Sequence, residues 1–130
     1  MRVLFIDDNA MNRAVVKSML EPAGVVMAEA PDAETGLAMI AVGDYDLILM
    51  DLRMPGIDGM AAIRRLRARG DAKAGLPVVM VTADSGPDIR REAEAAGADD
   101  LLHKPVEMTL LFDTIGRVLT GGSDKGAMLA

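Results

Sequence analysis

Short apolar runs alternate with longer stretches of helical periodicity along this chain. The runs Leu47–Met50 and Val78–Val81 are apolar at every position. This is typical of strands buried on both faces of a parallel sheet rather than of a half-exposed hairpin. Shorter apolar runs lie at Val3–Ile6, Val25–Ala28 and Leu101–Leu102. The pattern therefore predicts five parallel strands.

The stretches between these runs have the apolar spacing of amphipathic helices. Asp32 and Asp58 stand where an N-cap is expected, and Gly97 stands where a helix should end. The predicted helices run from Met11 to Leu20, Ala33 to Ala41, Gly59 to Arg69, Ser85 to Gly97 and Leu110 to Leu119. A strict alternation of strand and helix predicts a doubly wound α/β sheet with short loops.

The same spacing selects the side chains that should face the sheet. In the first helix they are Met11, Ala14, Val15 and Met19; in the third, Met60, Ile63 and Leu66; in the fifth, Leu110, Leu111, Ile115, Val118 and Leu119. The fourth helix has little apolar content beyond Ile89 and its alanines, so we expect it to be the weakest. We assign residues 2–120 to one domain and expect residues 121–130 to be a flexible C-terminal tail.

Composition narrows the function classes. The chain has 130 residues, 51% of them apolar, and a net charge of −6, which indicates one domain with a real core. Nucleic acid is not an expected partner because phosphate neutralisation needs a basic surface. No apolar run approaches the roughly 18 residues of a membrane helix, so we expect no membrane insertion. Cysteine is absent, which excludes disulfides and thiolate metal sites and is typical of a cytoplasmic protein.

Polar side chains stand where four of the five predicted strands end. Asp7 and Asp8 follow the first strand, Asp51 the third, Thr82 the fourth and Lys104 the fifth. Because the carboxyl ends of parallel strands meet at one edge of the sheet, we expect these side chains to lie close together.

Three neighbouring carboxylates repel one another, so such a cluster needs a compensating cation. Oxygen ligands without histidine or cysteine select Mg²⁺ or a similar ion such as Mn²⁺. A bound ion, the Lys104 amine and the Thr82 hydroxyl would together receive a phosphoryl group. A carboxylate in line with that group can act as a nucleophile and form an acyl phosphate.

Four segments of the chain resemble the motifs of a known family, the receiver domains of two-component response regulators. The segments are Asp7-Asp8-Asn9, the stretch from Asp51 to Gly59 (DLRMPGIDG), Val81-Thr82-Ala83 and Lys104-Pro105. The resemblance extends over about residues 2–120. It implies a flavodoxin-like, doubly wound (βα)5 fold with five parallel strands in the order 2-1-3-4-5, and a cis bond between Lys104 and Pro105.

The resemblance also implies a role for each residue of the cluster. Asp51 would accept a phosphoryl group from a histidine kinase or a histidine phosphotransfer protein, and Thr82 and Lys104 would contact the phosphoryl oxygens. The protein would catalyse only its own phosphorylation and dephosphorylation, and would signal to a downstream protein target or relay the phosphate onward. Mg²⁺ or Mn²⁺ would be held by three carboxylates and one main-chain carbonyl, which belong to Asp7, Asp8, Asp51 and Arg53.

Three further positions bear on the lifetime and the coupling of the phosphorylated state. Arg53 and Asp84 stand where relatives tune hydrolysis, and we hypothesise that they pair across the mouth of the site and slow the loss of phosphate. Two separately solvated side chains are the alternative. Leu101 stands where many receivers have tyrosine or phenylalanine that moves inward on phosphorylation. Leucine there predicts a weaker or differently built switch, or packing alone.

A second set of residues matches the surface by which relatives dock a kinase or a helical phosphotransfer protein. Two of its members, Met11 and Val15, have the spacing of core residues and could simply face the sheet. The set consists of Asn9, Met11, Asn12, Val15, Pro105 and Val106.

One basic run and one histidine have no assigned function. We interpret the basic run as a solvated helix face rather than an interaction patch, and His103 as an ordinary strand residue. The basic run consists of Arg64, Arg65, Arg67, Arg69 and Lys73.

Three functions remain open on these residues. The first is a stand-alone phosphorylation switch, which is favoured by a start at Met1 just before the first strand. The second is a receiver domain cut from a hybrid histidine kinase. The third is a Mg²⁺-dependent phosphohydrolase with an aspartyl nucleophile. Such hydrolases carry a second acid two residues after the nucleophile, where this chain has Arg53.

Overall fold

A central sheet of five parallel strands organises the part of the chain that the structure, a computed structural model, describes, which is residues 1–121. Its strand order is β2-β1-β3-β4-β5, which confirms the predicted fold class. The predicted tail lies outside the described residues except for residue 121. The strands are Arg2–Ile6 (β1), Val26–Ala30 (β2), Leu47–Asp51 (β3), Val78–Thr82 (β4) and Asp100–His103 (β5).

The described residues also form five α-helices, and these cover both faces of the sheet. Apolar side chains of the first and fifth helices pack in one buried cluster, and those of the second, third and fourth pack in another. Successive strand residues alternate between the clusters, as Val3 and Leu4 do, because side chains point to opposite faces along a strand. The helices are Ala10–Leu20 (α1), Ala33–Val42 (α2), Gly59–Arg67 (α3), Ile89–Ala96 (α4) and Met108–Leu119 (α5).

The two continuous apolar runs form the centre of this core. β3 and β4 are buried at all five of their positions, as expected for strands covered by helices on both faces. Helix N-caps also lie where the sequence predicts them. Asp32 accepts a hydrogen bond from the N–H of Thr35 at 2.7 Å, and Asp58 accepts one from the N–H of Ala61 at 2.8 Å.

The predicted inward faces of α1 and α5 are partly wrong. Val16 and Leu20 face the sheet from α1, whereas Met11 and Val15 are 70% and 41% exposed. The reason is that apolar residues stand side by side in α1, so the helical period alone fits either of two adjacent stripes. The same ambiguity affects α5, where apolar residues also stand side by side. Leu111, Ile115 and Val118 are buried, while Leu110 and Leu119 are exposed.

The predicted start of the fourth helix is also wrong. Residues Ser85–Pro87 belong to the loop after β4, and α4 begins only at Ile89. The residue that precedes a proline is pushed away from helical backbone angles, so Gly86 does not start the helix. The other end is as predicted, since Gly97 follows α4 with a left-handed φ of 113°.

The interpretation of the basic run as a solvated face fails for two of its members. Arg67 donates from Nε to the carbonyl of Gly97 at 2.9 Å and from Nη1 to that of Leu76 at 2.6 Å. Lys73 donates from Nζ to the carbonyls of Ile40 and Gly43, at 2.8 and 3.0 Å. Both side chains therefore satisfy carbonyls at the ends of helices and loops, which would otherwise lack partners.

Candidate functional site

The polar residues predicted at the strand ends meet at one edge of the sheet. Carboxylate oxygens of Asp7, Asp8 and Asp51 all lie within 4.8 Å of one another. Lys104 Nζ lies 2.9 Å from Asp7 Oδ2 and 3.0 Å from Asp51 Oδ1. Thr82 ends β4, the strand beside β3. Residues from four separate segments of the chain thus share one site.

Burial divides the three carboxylates into two kinds. Asp7 and Asp51 are 0% and 3% exposed, whereas Asp8 is exposed. Burial raises the pKa of Asp51, and the charges of Asp7 and Asp8 raise it further, against the opposing effect of Lys104. Burial works to lower the pKa of Lys104, but its hydrogen bonds to Asp7 and Asp51 outweigh this and raise the pKa. The site therefore holds a charged lysine among carboxylates that repel one another.

Asp7 is held by the turn into α1. Its Oδ1 accepts from the N–H of Asn9 at 2.8 Å, and its Oδ2 accepts from Asn12 Nδ2 at 3.3 Å. Asn9 is also the N-cap of α1, because its Oδ1 accepts from the N–H of Met11 at 2.8 Å. The start of the helix and the first carboxylate are thus fixed by the same short segment.

Lys104 is directed into the site by the end of β5. Its N–H donates to the carbonyl of Thr82 at 2.8 Å, which extends the pairing between β4 and β5. The Lys104–Pro105 peptide bond is cis, as the resemblance implies.

The loop after β3 turns back closely over the strand end. Gly59 N–H donates to the carbonyl of Leu52 at 2.8 Å, and a Cβ on Gly59 would lie 2.2 Å from the main-chain oxygen of Asp51. Only glycine fits this approach. The turn returns the chain to the strand end, so that Arg53 lies at the mouth of the site, two residues after Asp51.

Arg53 and Asp84 form an ion pair across that mouth. Asp84 Oδ2 accepts from Arg53 Nη2 at 2.6 Å and from Nε at 3.1 Å. This hydrogen bonding raises the pKa of Arg53. The N–H of Asp84 donates to Thr82 Oγ1 at 3.0 Å, so the pair is tied to the hydroxyl of the site. The pairing is as hypothesised, while its effect on phosphate lifetime stays a prediction.

Leu101 is buried and packs with the alanines of α4. Beside it lies a group of charges that the sequence did not reveal. Asp100 Oδ1 accepts from Arg90 Nη1 at 2.8 Å, and Asp100 Oδ2 accepts from Arg117. Arg90 Nη2 also donates to the carbonyl of Leu101 at 3.3 Å. No local signal predicts this group, because its three charged residues come from α4, β5 and α5.

The predicted docking residues lie at the surface beside the site. Met11 and Val15 are exposed, so the alternative that they are core residues is wrong. Val15, Pro105 and Val106 line a cavity of about 120 Å³ that reaches Lys104. Docking on this surface stays a prediction.

Within the described residues, no helix has the length and apolar character needed to cross a bilayer. The fold and the site together define a flavodoxin-like domain with an acidic centre at the carboxyl edge of its sheet.

Comparison with known proteins specifies this class further. The family model of the response regulator receiver domain matches residues 3–116. The chain is 35% identical over 119 residues to the chemotaxis protein CheY of Pseudomonas aeruginosa, and the aligned region covers 91% of this chain and 95% of CheY. It is 39% identical over 116 residues to the sensory/regulatory protein RpfC of Xanthomonas campestris, and here the aligned region covers 88% of this chain but only 16% of RpfC. The chain belongs to the response regulator receiver domain family, whose members act in two-component signalling.

Two solved structures are similar to the whole fold. One is the receiver domain of a sensor histidine kinase from Pseudomonas aeruginosa PAO1, with a magnesium ion in its active-site cleft. It has a TM-score of 0.83 and 29% identity, and covers 92% of this chain and 97% of that one. The other is the chemotaxis protein CheY4 of Vibrio cholerae, with a TM-score of 0.83, 30% identity and coverage of 90% of this chain and 97% of that one.

Proposed function

We propose that this protein accepts a phosphoryl group on Asp51 from a histidine kinase or a histidine phosphotransfer protein, in a Mg²⁺-dependent reaction. One observation carries the proposal. The buried Asp51 carboxylate lies within 4.8 Å of the oxygens of two other aspartates and 3.0 Å from Lys104 Nζ. This arrangement combines a nucleophile, a cation site and a fixed positive charge at one strand end.

The residues at the site fit a magnesium ion. The donors are carboxylate oxygens without histidine or cysteine, which is the set that Mg²⁺ prefers. Lys104 is one positive charge among three negative ones, so a divalent cation would restore the balance. Asp7, Asp8, Asp51 and the main-chain carbonyl of Arg53 would hold the ion, and Mn²⁺ could replace it. When bound, the ion would offset the charge on the phosphoryl oxygens and on the attacking carboxylate.

Asp51 is the nucleophile of the proposed reaction. One of its carboxylate oxygens forms a bond to phosphorus, and the phosphorus–nitrogen bond of the donor's phosphohistidine breaks, with its electron pair left on the imidazole. The product is an acyl phosphate on Asp51. Attack of water on the same phosphorus later releases inorganic phosphate and restores the carboxylate.

Lys104 and Thr82 bind the group that is transferred. Lys104 Nζ already lies between Asp7 and Asp51, so it can donate to a phosphoryl oxygen without a large movement. Thr82 contributes a hydroxyl from the neighbouring strand. Both stabilise charge on the equatorial oxygens of the transferring group.

Two surfaces complete the proposal. The phosphate donor docks beside the site, on the exposed Met11 and Val15 and around the cavity at Pro105 and Val106, with Asn9 and Asn12 beside them. The phosphorylated protein then binds a downstream protein target or passes the phosphate on, and does so in the cytoplasm. Similarity over 95% of CheY would favour a stand-alone regulator, whereas similarity to 16% of RpfC would favour a domain of a larger protein. The same site would serve a receiver domain within a larger kinase.

The test is phosphotransfer from purified histidine kinases of the host, with and without Mg²⁺. Wild-type protein should be labelled only with Mg²⁺, and Asp51→Asn should not be labelled. Asp113→Asn is the matched control, because it makes the same change at an exposed position of α5. Label that persists on Asp51→Asn would overturn the assignment of the acceptor. Turnover of small phosphoesters would favour the hydrolase, although Arg53 stands where its catalytic acid is needed.

A further inference from the structure

Arg13 lies behind the acidic site and contacts its backbone. Its side chain, on the inner part of α1, is only 16% exposed. Nη1 donates to the main-chain oxygen of Asp7 at 2.6 Å, and Nε donates to Glu29 Oε1 at 3.0 Å. The oxygen of Asp7 belongs to the peptide unit that joins Asp7 to Asp8. Arg13 therefore binds the peptide group that joins two of the three aspartates of the site.

Glu29 anchors this contact to the sheet. It lies on β2 beside Ala30, whose carbonyl accepts from the N–H of Asp7 at 3.1 Å. Both sides of the Asp7 backbone are thus tied to β2, one directly through Ala30 and the other through Arg13 and Glu29. Lys17 Nζ lies 3.4 Å from the other oxygen of Glu29, so the carboxylate of Glu29 is held as well.

The peptide plane between two residues contains the N and Cα atoms of the second residue, so a rotation of that plane displaces the point from which the second side chain leaves the backbone. Asp8 is exposed, and the structure gives its side chain no hydrogen bond within the described residues. The origin of its side chain is therefore held in place by that peptide plane rather than by contacts of its own carboxylate. Asp7, in contrast, is held by Asn9 and Asn12 through its own carboxylate.

We propose that Arg13 is a positioning residue for the metal site, holding the Asp7–Asp8 peptide so that the Asp8 carboxylate keeps its place beside Asp7 and Asp51. The inference rests on the proposed function, since it assumes that these carboxylates bind Mg²⁺. Arg13 touches neither the ion nor the phosphoryl group and acts only through the backbone of Asp7.

The electrostatic effect and the positioning effect of removing Arg13 would change the Mg²⁺ affinity in opposite directions. Removing a positive charge near three carboxylates, and leaving Glu29 without its arginine, attracts a cation more strongly. On charge alone, Arg13→Gln would bind Mg²⁺ more tightly than wild type. Loss of positioning weakens binding instead. Groups that orient metal ligands contribute about 10- to 100-fold to affinity, and we expect about a 10-fold weaker affinity for Arg13→Gln.

Arg13→Lys separates charge from geometry. Lysine keeps the positive charge but has a single nitrogen, which cannot replace the two separate donors on Asp7 and Glu29. Its Mg²⁺ affinity should therefore also fall. Arg65→Gln is the matched control, because it makes the same charge change on an exposed arginine of α3.

The experiment measures Mg²⁺ affinity by titration calorimetry, since the chain has no tryptophan to report binding. Phosphorylation by acetyl phosphate is followed in parallel as a function of Mg²⁺. Circular dichroism and urea unfolding confirm that each variant is folded. Arg13→Gln and Arg13→Lys should both need about 10-fold more Mg²⁺, while the phosphorylation rate at saturating Mg²⁺ should stay near that of wild type.

The outcomes separate this inference from the proposed function. If wild type binds Mg²⁺ and Arg13→Gln binds it equally or more tightly, the positioning role is overturned and the proposed function stands. If Arg13→Lys binds Mg²⁺ as tightly as wild type, the two separate donors of the guanidinium are not what holds the site, and the inference again fails. If wild type itself binds no Mg²⁺, the proposed function falls, and the inference with it.

Discussion

Replacing Asp51 by asparagine removes one of three carboxylates whose oxygens lie within 4.8 Å of one another. The amide keeps the size of the side chain and can still accept the hydrogen bond that Lys104 donates at 3.0 Å. We expect the Asp51→Asn variant, which lacks the proposed phosphoryl acceptor, to be more stable than wild type when no metal is present. The cause is relief of repulsion in a buried site.

The magnitude follows from the distances. At an effective dielectric constant of about 20, a like charge at 4.8 Å, the upper limit of these separations, costs about 3.5 kcal/mol, and an opposite charge at 3.0 Å returns about 5.5 kcal/mol. The two repulsions from Asp7 and Asp8 therefore exceed the attraction of Lys104 by about 1 to 2 kcal/mol. For a chain of this length, that gain corresponds to a Tm rise of roughly 4 to 8 °C.

The assay is urea and thermal unfolding at pH 7, in EDTA and in Mg²⁺, with Asp113→Asn as the control. Magnesium should reverse the order, because wild type at 100 times its Kd gains about 2.7 kcal/mol and the variant, lacking one of the proposed metal ligands, gains less. Asp51→Asn that is less stable than wild type in EDTA would refute the reasoning.

The dependence on pH has a definite sign. Burial raises the pKa of Asp51 above its value in the unfolded chain, so the native state binds a proton that the unfolded state releases. The stability associated with that proton is fully present below the unfolded pKa and is lost as pH rises through the folded pKa. In EDTA, the advantage of Asp51→Asn should therefore shrink as pH falls.

Three further outcomes are expected. Arg53→Ala should speed hydrolysis of the acyl phosphate by up to about 5-fold, since a solvent-exposed ion pair contributes only a small stabilisation. Asp84→Ala should do the same, with no further change in the double variant; an unchanged decay on phosphate-affinity gels would contradict this. Met11→Ser with Val15→Ser should slow transfer from a protein donor but not labelling by acetyl phosphate, and equal slowing of both would count against docking there. Asp100→Asn should cost about 1.5 to 3 kcal/mol of unfolding free energy at pH 7, the usual contribution of a charged hydrogen bond, and no loss would show its ion pairs to be inert. Burial works to raise the pKa of Asp100, but hydrogen bonds from two arginines outweigh it and lower the pKa, so wild type should lose this contribution as pH falls through the folded pKa while the variant should not.

The fold and the centre of the site were predictable because each depends on a local pattern. Continuous apolar runs at Leu47–Met50 and Val78–Val81 indicate strands covered on both sides. In a parallel sheet the residues after such strands meet at one edge whatever the details of packing. The neighbourhood of Asp7, Asp51 and Lys104 therefore follows from their positions in sequence once the topology is accepted.

Other features depend on which of several compatible partners is nearest, and a linear pattern does not contain that information. Adjacent apolar residues such as Val15 and Val16 fit either face of a helix, and only packing against the sheet selected Val16. Arg67 and Lys73 are basic residues in a basic run by sequence, yet each binds carbonyls about 30 residues away.

By itself, the sequence determined the fold class, the strand ends and the chemistry of the site, because hydrophobic periodicity and the polarity of strand ends act over a few residues. Only the tertiary structure decided the partners of the charged side chains, including Arg13 on the Asp7 peptide and the two arginines on Asp100. A long charged side chain can reach many groups from one backbone position. Which group it binds is decided only when separate elements are brought together, through contacts between residues distant in sequence.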